Sequence, residues 1–302
     1  MLLGRCDNHL PSFDRQPEQF ALTRQFRSAS LVREFGTAGG LAMPIAHWRS
    51  RLEDDALTPG FSHHSIVLQN AGTDARRIDN PRFSRFRSAP GRIIVIPAGM
   101  SATWRSESIS DRIHFYLRPE LLEMIALELD SAPPELRDDR VFIIDEPLRR
   151  LLERYASGLL HGGQSALERD MLIVEIAIWL LRQHGSALVR PPAGARLTAR
   201  QERILREVIE TCLDQQLTLA AIADAVGCSP VLLKRGARIA LGMPLHQFVI
   251  ERRLARAGDL ILAGCSIVEA ALASGFSSQS HLTSQMRRRW GCTPATFRRS
   301  QI

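Results

Sequence analysis

The sequence predicts an α+β protein in two parts. A small β barrel or sandwich with about three following helices comes first, and an all-α domain comes second. Three observations predict it. The spacing of apolar residues changes from strand-like to helical near residue 118. VRPPAGAR, residues 189–196, sets two prolines and a glycine between helical stretches. The charge steps at the same place: residues 1–195 carry 24 basic and 24 acidic side chains, and residues 196–302 carry 15 and 8. All of the formal charge of +7 therefore lies in the last third. That asymmetry points to a nucleic acid or another anionic surface. A chain of 302 residues suits two domains at ~100–200 residues each. The expected limits are 1–188, a linker at 189–196, and 197–302.

The elements follow in order. Between residues 20 and 117, short β-branched runs are broken by Gly or Pro: SIVLQN (65–70), RIIVIPAG (92–99) and RIHFYL (112–117). Helical spacing then appears at 119–129, 146–160 and 166–183, with Pro119 and Pro147 suited to first turns. Downstream, helices are expected at 198–214, 219–226, 230–239, 245–262, 267–274 and 278–290, with a short one near 296–300. The most apolar run, MLIVEIAIWLL (171–181), is too short for a membrane span and holds Glu175. Its stripe reads as core or as a dimer helix. The N-terminus, MLLGRCDNHLP, lacks an apolar signal core. Five scattered cysteines fit thiols in a reducing compartment. The expectation is a cytoplasmic protein that spans no membrane.

The basic part contains a repeat. LAAIADAVGCSPVLLKR (219–235) parallels IVEAALASGFSSQSHLTS (267–284), at an offset of 48 before the turn and 49 after it. Each unit is a short helix, a glycine turn, a serine and a second helix, which is the shape of a helix-turn-helix. Gly227 and Gly275 suit left-handed turns, and Ser229 and Ser277 or Ser278 suit N-caps.

On a helical wheel Leu282, Met286 and Trp290 form an apolar stripe. Ser280, Thr283, Ser284 and Arg287 lie opposite, with Gln279 near the first turn. In the first unit Val231, Lys234, Arg235 and Arg238 occupy the matching positions and are expected to face outward. Such faces suit successive major grooves. Arg235 and Lys234 can donate to guanine, Val231 can touch a thymine methyl, and Gln279 can pair with adenine, while hydroxyls read permissively. Residues 287–289, with Arg288 central, suit phosphates. The helix at 245–262 spans roughly 27 Å at ~1.5 Å per residue. With the motifs at its ends, that allows two readers about one DNA turn apart.

These residues resemble the AraC/XylS family of bacterial transcription regulators. The resemblance covers about residues 197–299. It rests on LTLAAIADAVGCSPVLLKR, on the Gly242, Pro244, Arg252-Arg253-Leu254 and Ala257 pattern, and on SIVEAALASGFSSQSHLTSQMRRRWGCTPATFR. It implies a regulator that binds double-stranded DNA and works with RNA polymerase, as an activator or as a repressor. Two departures stand out: Gly236-Ala237 where the family has an aliphatic residue and Phe, and Met286 where it has Phe. They suggest a looser first unit. The first part looks like the cupin-type sensor domain of such regulators, which implies a small-molecule effector and a homodimer. Trp104, His114 and Tyr116 are candidate pocket residues, with His63 or His64 at the mouth. Arg92, Arg105 and Arg112 would favour a carboxylate. Ala102 stands where metal-binding cupins carry a histidine, so no metal and no cofactor are expected.

Two other readings remain open. One is a cupin-class enzyme with a DNA-binding appendage. Against it, no catalytic set of carboxylates, Cys or His is recognisable, so no enzyme is expected. The other is a nonspecific DNA-binding protein, which would bind promoter and random DNA equally.

Overall fold

The computed structural model describes residues 30–35, 41–129, 135–186 and 196–300. The linker expected at 189–196, apart from Arg196, lies outside the described residues, as does the N-terminal segment with Cys6. The chain divides into two compact units. One is residues 1–162 with 172–192; the other is 163–171 with 193–302.

The first unit holds a six-stranded antiparallel sheet. Its strands are β1 (Ser30–Phe35), β2 (Ile45–Thr58), β3 (His64–Ala71), β4 (Arg76–Arg77), β5 (Ile93–Ile96) and β6 (Ala102–Leu117). The order is β1-β2-β6-β3-β5, with β4 on β6. Strand β5, Ile-Ile-Val-Ile, is buried on both faces although it ends the sheet. Its outer edge is covered: Ile93 bridges Ile143, and the Val95 N–H donates to the Arg140 carbonyl at 2.9 Å. Pairing that edge removes a row of open backbone groups. Two register shifts in the β2–β6 ladder mark bulges, which bend long strands.

Strand β6 is much longer than the expected 112–117. Its first half is polar, and Asp74 organises the Ser-Glu-Ser stretch. That carboxylate accepts from Ser106 Oγ at 2.8 Å, from the Glu107 N–H at 2.8 Å and from the Ser108 N–H at 2.7 Å. Helices α1 (Pro119–Glu128), α2 (Glu146–His161) and α3 (Ala166–His184) follow. Pro119 and Pro147 stand in first turns, and Asp145 caps α2 by accepting the Leu148 N–H at 3.0 Å. In α3, Leu172, Ile173, Val174, Ile176, Ala177, Leu180 and Leu181 are buried within the single chain, so its stripe packs as core.

The second unit is helical: α4 (Ala199–Thr211), α5 (Leu219–Val226), α6 (Pro230–Leu241), α7 (Leu245–Leu262), α8 (Ile267–Ala273), α9 (Gln279–Trp290) and α10 (Pro294–Ser300). Side-chain caps start most of them. Thr218 accepts from the Ala221 N–H, Ser229 from Leu232 and Ser278 from His281, each at 3.1 Å. Ser266 and Glu269 close a capping box on α8. Gly227 and Gly275 adopt φ of 68° and 80°, the left-handed turns that the repeat requires. Leu254, Ala257, Ile261, Ala270, Ala271, Phe276, Leu282 and Met286 form one core, with Trp290 partly buried against it.

The expectation of a loose first motif is corrected here. A Cβ on Gly236 would lie 2.7 Å from Leu197 Cγ and 3.1 Å from the Leu197 nitrogen. Ala237 and Leu233 are fully buried. Glycine and alanine therefore serve close approach, not slack: Leu197 fills the space that a larger side chain would take.

Candidate nucleic-acid interface

Helices α5 and α6 form the first helix-turn-helix, and α8 and α9 the second. In the second, Gln279, Ser280, Thr283, Ser284, Arg287 and Arg288 line a single open groove. All are exposed except the half-buried Thr283. Leu282 and Met286 are fully buried on the opposite side. The α9 face thus combines one amide, three hydroxyls and two guanidiniums, donors for base edges at one end and for phosphates at the other.

On α6, Arg238 is exposed, and Lys234 and Arg235 are half-buried. Val231 is not on this face: it is only 2% exposed. The expectation that it touches a thymine methyl fails, because its methyl groups have no open surface. A wheel ranks the faces of an isolated helix and is blind to what packs over its first turn.

Arg289 also differs from expectation. It pairs with Glu251 of α7, so it joins α9 to the connecting helix. His281 is half-buried against the Phe276 ring, 5.3 Å away, and meets Ser277 Oγ at 3.1 Å. Burial, and then the Arg253 charge, hold its pKa below the usual value.

Sequence reasoning gave Arg253 no role. It is 6% exposed on α7, and its Nε donates to the Leu213 carbonyl at 2.8 Å while Nη2 donates to Gln215 at 2.7 Å. Gly275 closes over the same place: a Cβ there would meet the Leu213 oxygen at 2.0 Å and Arg253 Nε at 2.8 Å. Arg252 adds a two-pronged bond to Glu210 of α4 at 2.5 and 3.0 Å. Together these contacts tie α4 and its following loop to the connecting helix and to the turn of the second motif. The signal was present in the sequence. Val249, Arg253, Ala257 and Ile261 recur every four residues, which places an arginine within an apolar stripe. Asp170 also belongs to this unit and accepts the Leu219 N–H at 2.8 Å, at the start of α5.

The first unit holds a cavity of about 60 Å³ lined from β2, β3, β5 and β6 and by Phe61, Ala75 and Phe142. Trp104, His114 and Tyr116 line it as expected, together with Arg112. His63 is not among the lining residues. It is 3% exposed and packs between Phe61 and Tyr116, with ring centroids 5.1 and 5.0 Å away. His64 is buried too, and its Nδ1 accepts the Ala98 N–H at 2.9 Å. Burial lowers both histidines to about 4; for His64 the neighbouring His63 adds to this and Glu120 opposes it. Burial also holds His114 far below its ordinary value, so it is neutral at pH 7. Arg92 donates instead to the Phe142 carbonyl at 2.8 Å. Among the described residues no three His, Cys, Asp or Glu side chains converge as metal ligands, and no helix is long and apolar enough to cross a membrane.

Comparison with known proteins adds four findings. A helix-turn-helix domain family matches residues 222–300. The chain is 36% identical over 163 residues to the virulence regulon transcriptional activator VirF of Yersinia enterocolitica, across 54% of this chain and 60% of that protein. It is 32% identical over 95 residues to the transposon Tn10 TetD protein of Escherichia coli, across 31% of this chain and 69% of that one. Among solved structures, a transcriptional regulator with an AraC-type DNA-binding domain from Chromobacterium violaceum is 31% identical, with a TM-score of 0.32, over 34% of this chain and 92% of that one. The chain spans about half to 60% of the length of the first curated relatives it matches.

Proposed function

Because the chain belongs to the AraC/XylS family of bacterial transcription regulators, we propose that it reads a specific double-stranded DNA site and regulates transcription there. The observation that carries this is the α9 groove. Six polar side chains converge there on one open face, backed by a buried apolar stripe. Helix α6 offers a second face through Lys234, Arg235 and Arg238. Arg235 reads guanine, while Arg287 and Arg288 hold phosphates. Residues 197–302 form the reader, and residues 1–188 a cupin-like sensor whose cavity takes a small effector. Activation is the direction that the relative's name supports, since VirF is called an activator, and RNA polymerase is the partner through which it would act. A homodimer would bring two readers to one promoter.

The test is selection of bound fragments from the host's genomic DNA by the full chain, followed by competition against random DNA at physiological salt. Specific enrichment is expected, with affinity falling steeply as salt rises because counterions are released. Arg235→Ala should relax preference at one base pair by about 1–3 kcal/mol. Arg288→Ala should weaken every sequence alike and reduce the salt slope by about 1. Equal affinity for selected and random DNA would defeat the proposal.

A further inference from the structure

We propose that the cavity of the first unit is a receptor for a small monocarboxylate, about four to six heavy atoms in size, whose carboxylate pairs with Arg112 and whose short tail lies among apolar side chains. This rests on the reading of the first unit as the sensor and names the chemistry of what it senses.

The walls select for charge first. Among the described lining residues Arg112 is the one charged side chain. It is 9% exposed and lies on β6, with Nη1 3.5 Å from the Ser110 carbonyl. Burial lowers its pKa only to about 10, so it remains a cation at pH 7. A guanidinium offers a planar fork of donors that matches a carboxylate with two parallel bonds. Of the three arginines that the sequence marked, Arg112 lines the cavity and Arg92 and Arg105 do not.

A second polar group points the same way. His114 also lines the cavity, and its buried Nε2 has no hydrogen-bond partner. A buried polar nitrogen left this way costs free energy. A ligand oxygen at that end of the cavity would satisfy it. Trp48 Nε1 donates to Tyr116 Oη at 3.3 Å, fixing two further lining rings beside these groups.

Most of the remaining wall disfavours highly polar anions. Val67, Ile94, Ile96, Trp48, Trp104 and Phe142 are apolar surfaces, and the polar groups among them, Thr58, Ser65, Gln69 and Ser110, carry no charge. Phosphate and sulfate would bring charge with no tail to cover them, and an uncompensated polar group against such walls is costly. A hydrocarbon tail would fit them. Size then sets the upper limit. The cavity is about 60 Å³, roughly four to six water positions at ~10–15 Å³ each. Pockets for drug-sized ligands measure ~300–1,000 Å³, so sugars, nucleotides and long-chain acids are too large for this one.

The test is titration calorimetry on the full-length protein with butyrate, butyramide, octanoate and inorganic phosphate, alongside quenching of tryptophan fluorescence. Butyrate is expected to bind, with the isosteric neutral amide, the longer acid and phosphate each at least ~10-fold weaker. Arg112→Gln should weaken butyrate by ~10–100-fold, the range for a hydrogen-bonded charge. Arg112→Lys keeps the charge without the fork and should fall between. These two variants are read only after their melting curves match the parent's. The wild-type comparison of acid with amide needs no variant at all. Butyramide binding as tightly as butyrate, octanoate or phosphate binding more tightly, or no acid binding would each overturn the proposal. DNA selection on the same preparation separates the two readings. Specific DNA binding without carboxylate binding defeats this inference alone, and carboxylate binding without DNA preference defeats the regulator.

Discussion

Replacing Gly236 by alanine sets two known effects against each other. In the interior of α6, alanine is favoured over glycine by up to about 1 kcal/mol. If the first motif were slack, that gain would appear as added stability. The structure predicts the reverse. The new Cβ would stand 2.7 Å from Leu197 Cγ, 3.1 Å from its Cδ2 and 3.1 Å from its backbone nitrogen. Carbon atoms pack at ~3.5–4.0 Å, so Leu197 would have to move by roughly 1 Å. Leu197 is 5% exposed, and its nitrogen belongs to the chain entering α4, so neither atom is a loose side-chain end. Overpacking of this kind costs about 1–3 kcal/mol. Subtracting the helix gain leaves a net loss near 1 kcal/mol, which lowers a small unit's melting temperature by about 4–8 °C. Calorimetric melting of the full chain measures it. A double-mutant cycle isolates the cause. Leu197→Ala alone should cost about 2–5 kcal/mol, yet with Gly236→Ala the two costs should fall short of their sum by more than ~0.5 kcal/mol. A melting temperature raised by Gly236→Ala, or strict additivity, would refute the close-packing argument.

Three further outcomes are expected. Arg253→Ala should lower the stability of the second unit by about 3 kcal/mol, because the Leu213 and Gln215 carbonyls lose their buried donors. Arg253→Lys should not restore it, since one ammonium lacks the fork that reaches both; recovery in the melting curve of the Lys variant would count against the staple. Val231→Ala should cost about 1.5–3 kcal/mol while leaving base preference intact, as for a core residue; a changed preference at a thymine position, with unchanged stability, would return Val231 to the reading face. Acid should weaken the first unit through His63 and His64. Their folded pKa values, about 4, lie below the ordinary 6.5, so the unfolded chain binds protons first as pH falls. The stabilisation is complete above pH 6.5 and is lost progressively towards pH 4, by about 1.4 kcal/mol per pH unit per histidine. Urea midpoints at pH 7.5 and 5.5 should show this slope in the parent and much less of it in His63→Phe with His64→Gln; equal slopes would remove the histidines from the account.

Local signals made much of the second unit legible. Helices at 219–226 and 245–262 appear with the limits that the sequence suggested, because a threonine cap and a glycine turn mark the first and sustained periodicity marks the second. The α9 groove could be read because an apolar stripe and a polar face alternate over three turns. What the sequence hid depended on distant partners. The first half of β6 alternates in burial but sets a serine, Ser106, at a buried position where an apolar side chain would signal a strand, and its support, Asp74, lies more than thirty residues earlier. Gly236 looked like a weakness because propensity counts only its own helix, and the close approach of Leu197 lies outside that count. Val231 was misplaced for the same reason. The charge step located the basic domain, but residues 163–171 also belong to the second unit, where Asp170 meets α5. No composition shift marks that boundary.

The two proposed readers now divide the work unequally, and their coupling can be tested. On α6 the loss of Val231 leaves Lys234, Arg235 and Arg238, few groups but capable of strong contacts to guanine. On α9 six groups share one groove, most of them permissive hydroxyls or phosphate holders. Discrimination should therefore concentrate in the half-site under α6, and affinity in the half-site under α9. Such a division works only if the two faces keep a fixed register. Helix α7 cannot lengthen, and Arg253, Arg252 with Glu210, and Arg289 with Glu251 tie it to both sides. Inserting five base pairs between the half-sites turns one of them through about half a helical turn, at ~10–10.5 base pairs per turn. The parent should then bind no better than to the α9 half-site alone, as read by competition binding at fixed salt. Arg253→Ala should lose less on the same insertion, because its joint is looser. If the parent tolerates the insertion, the two motifs are not held as one rigid reader, and the unequal division loses its structural basis.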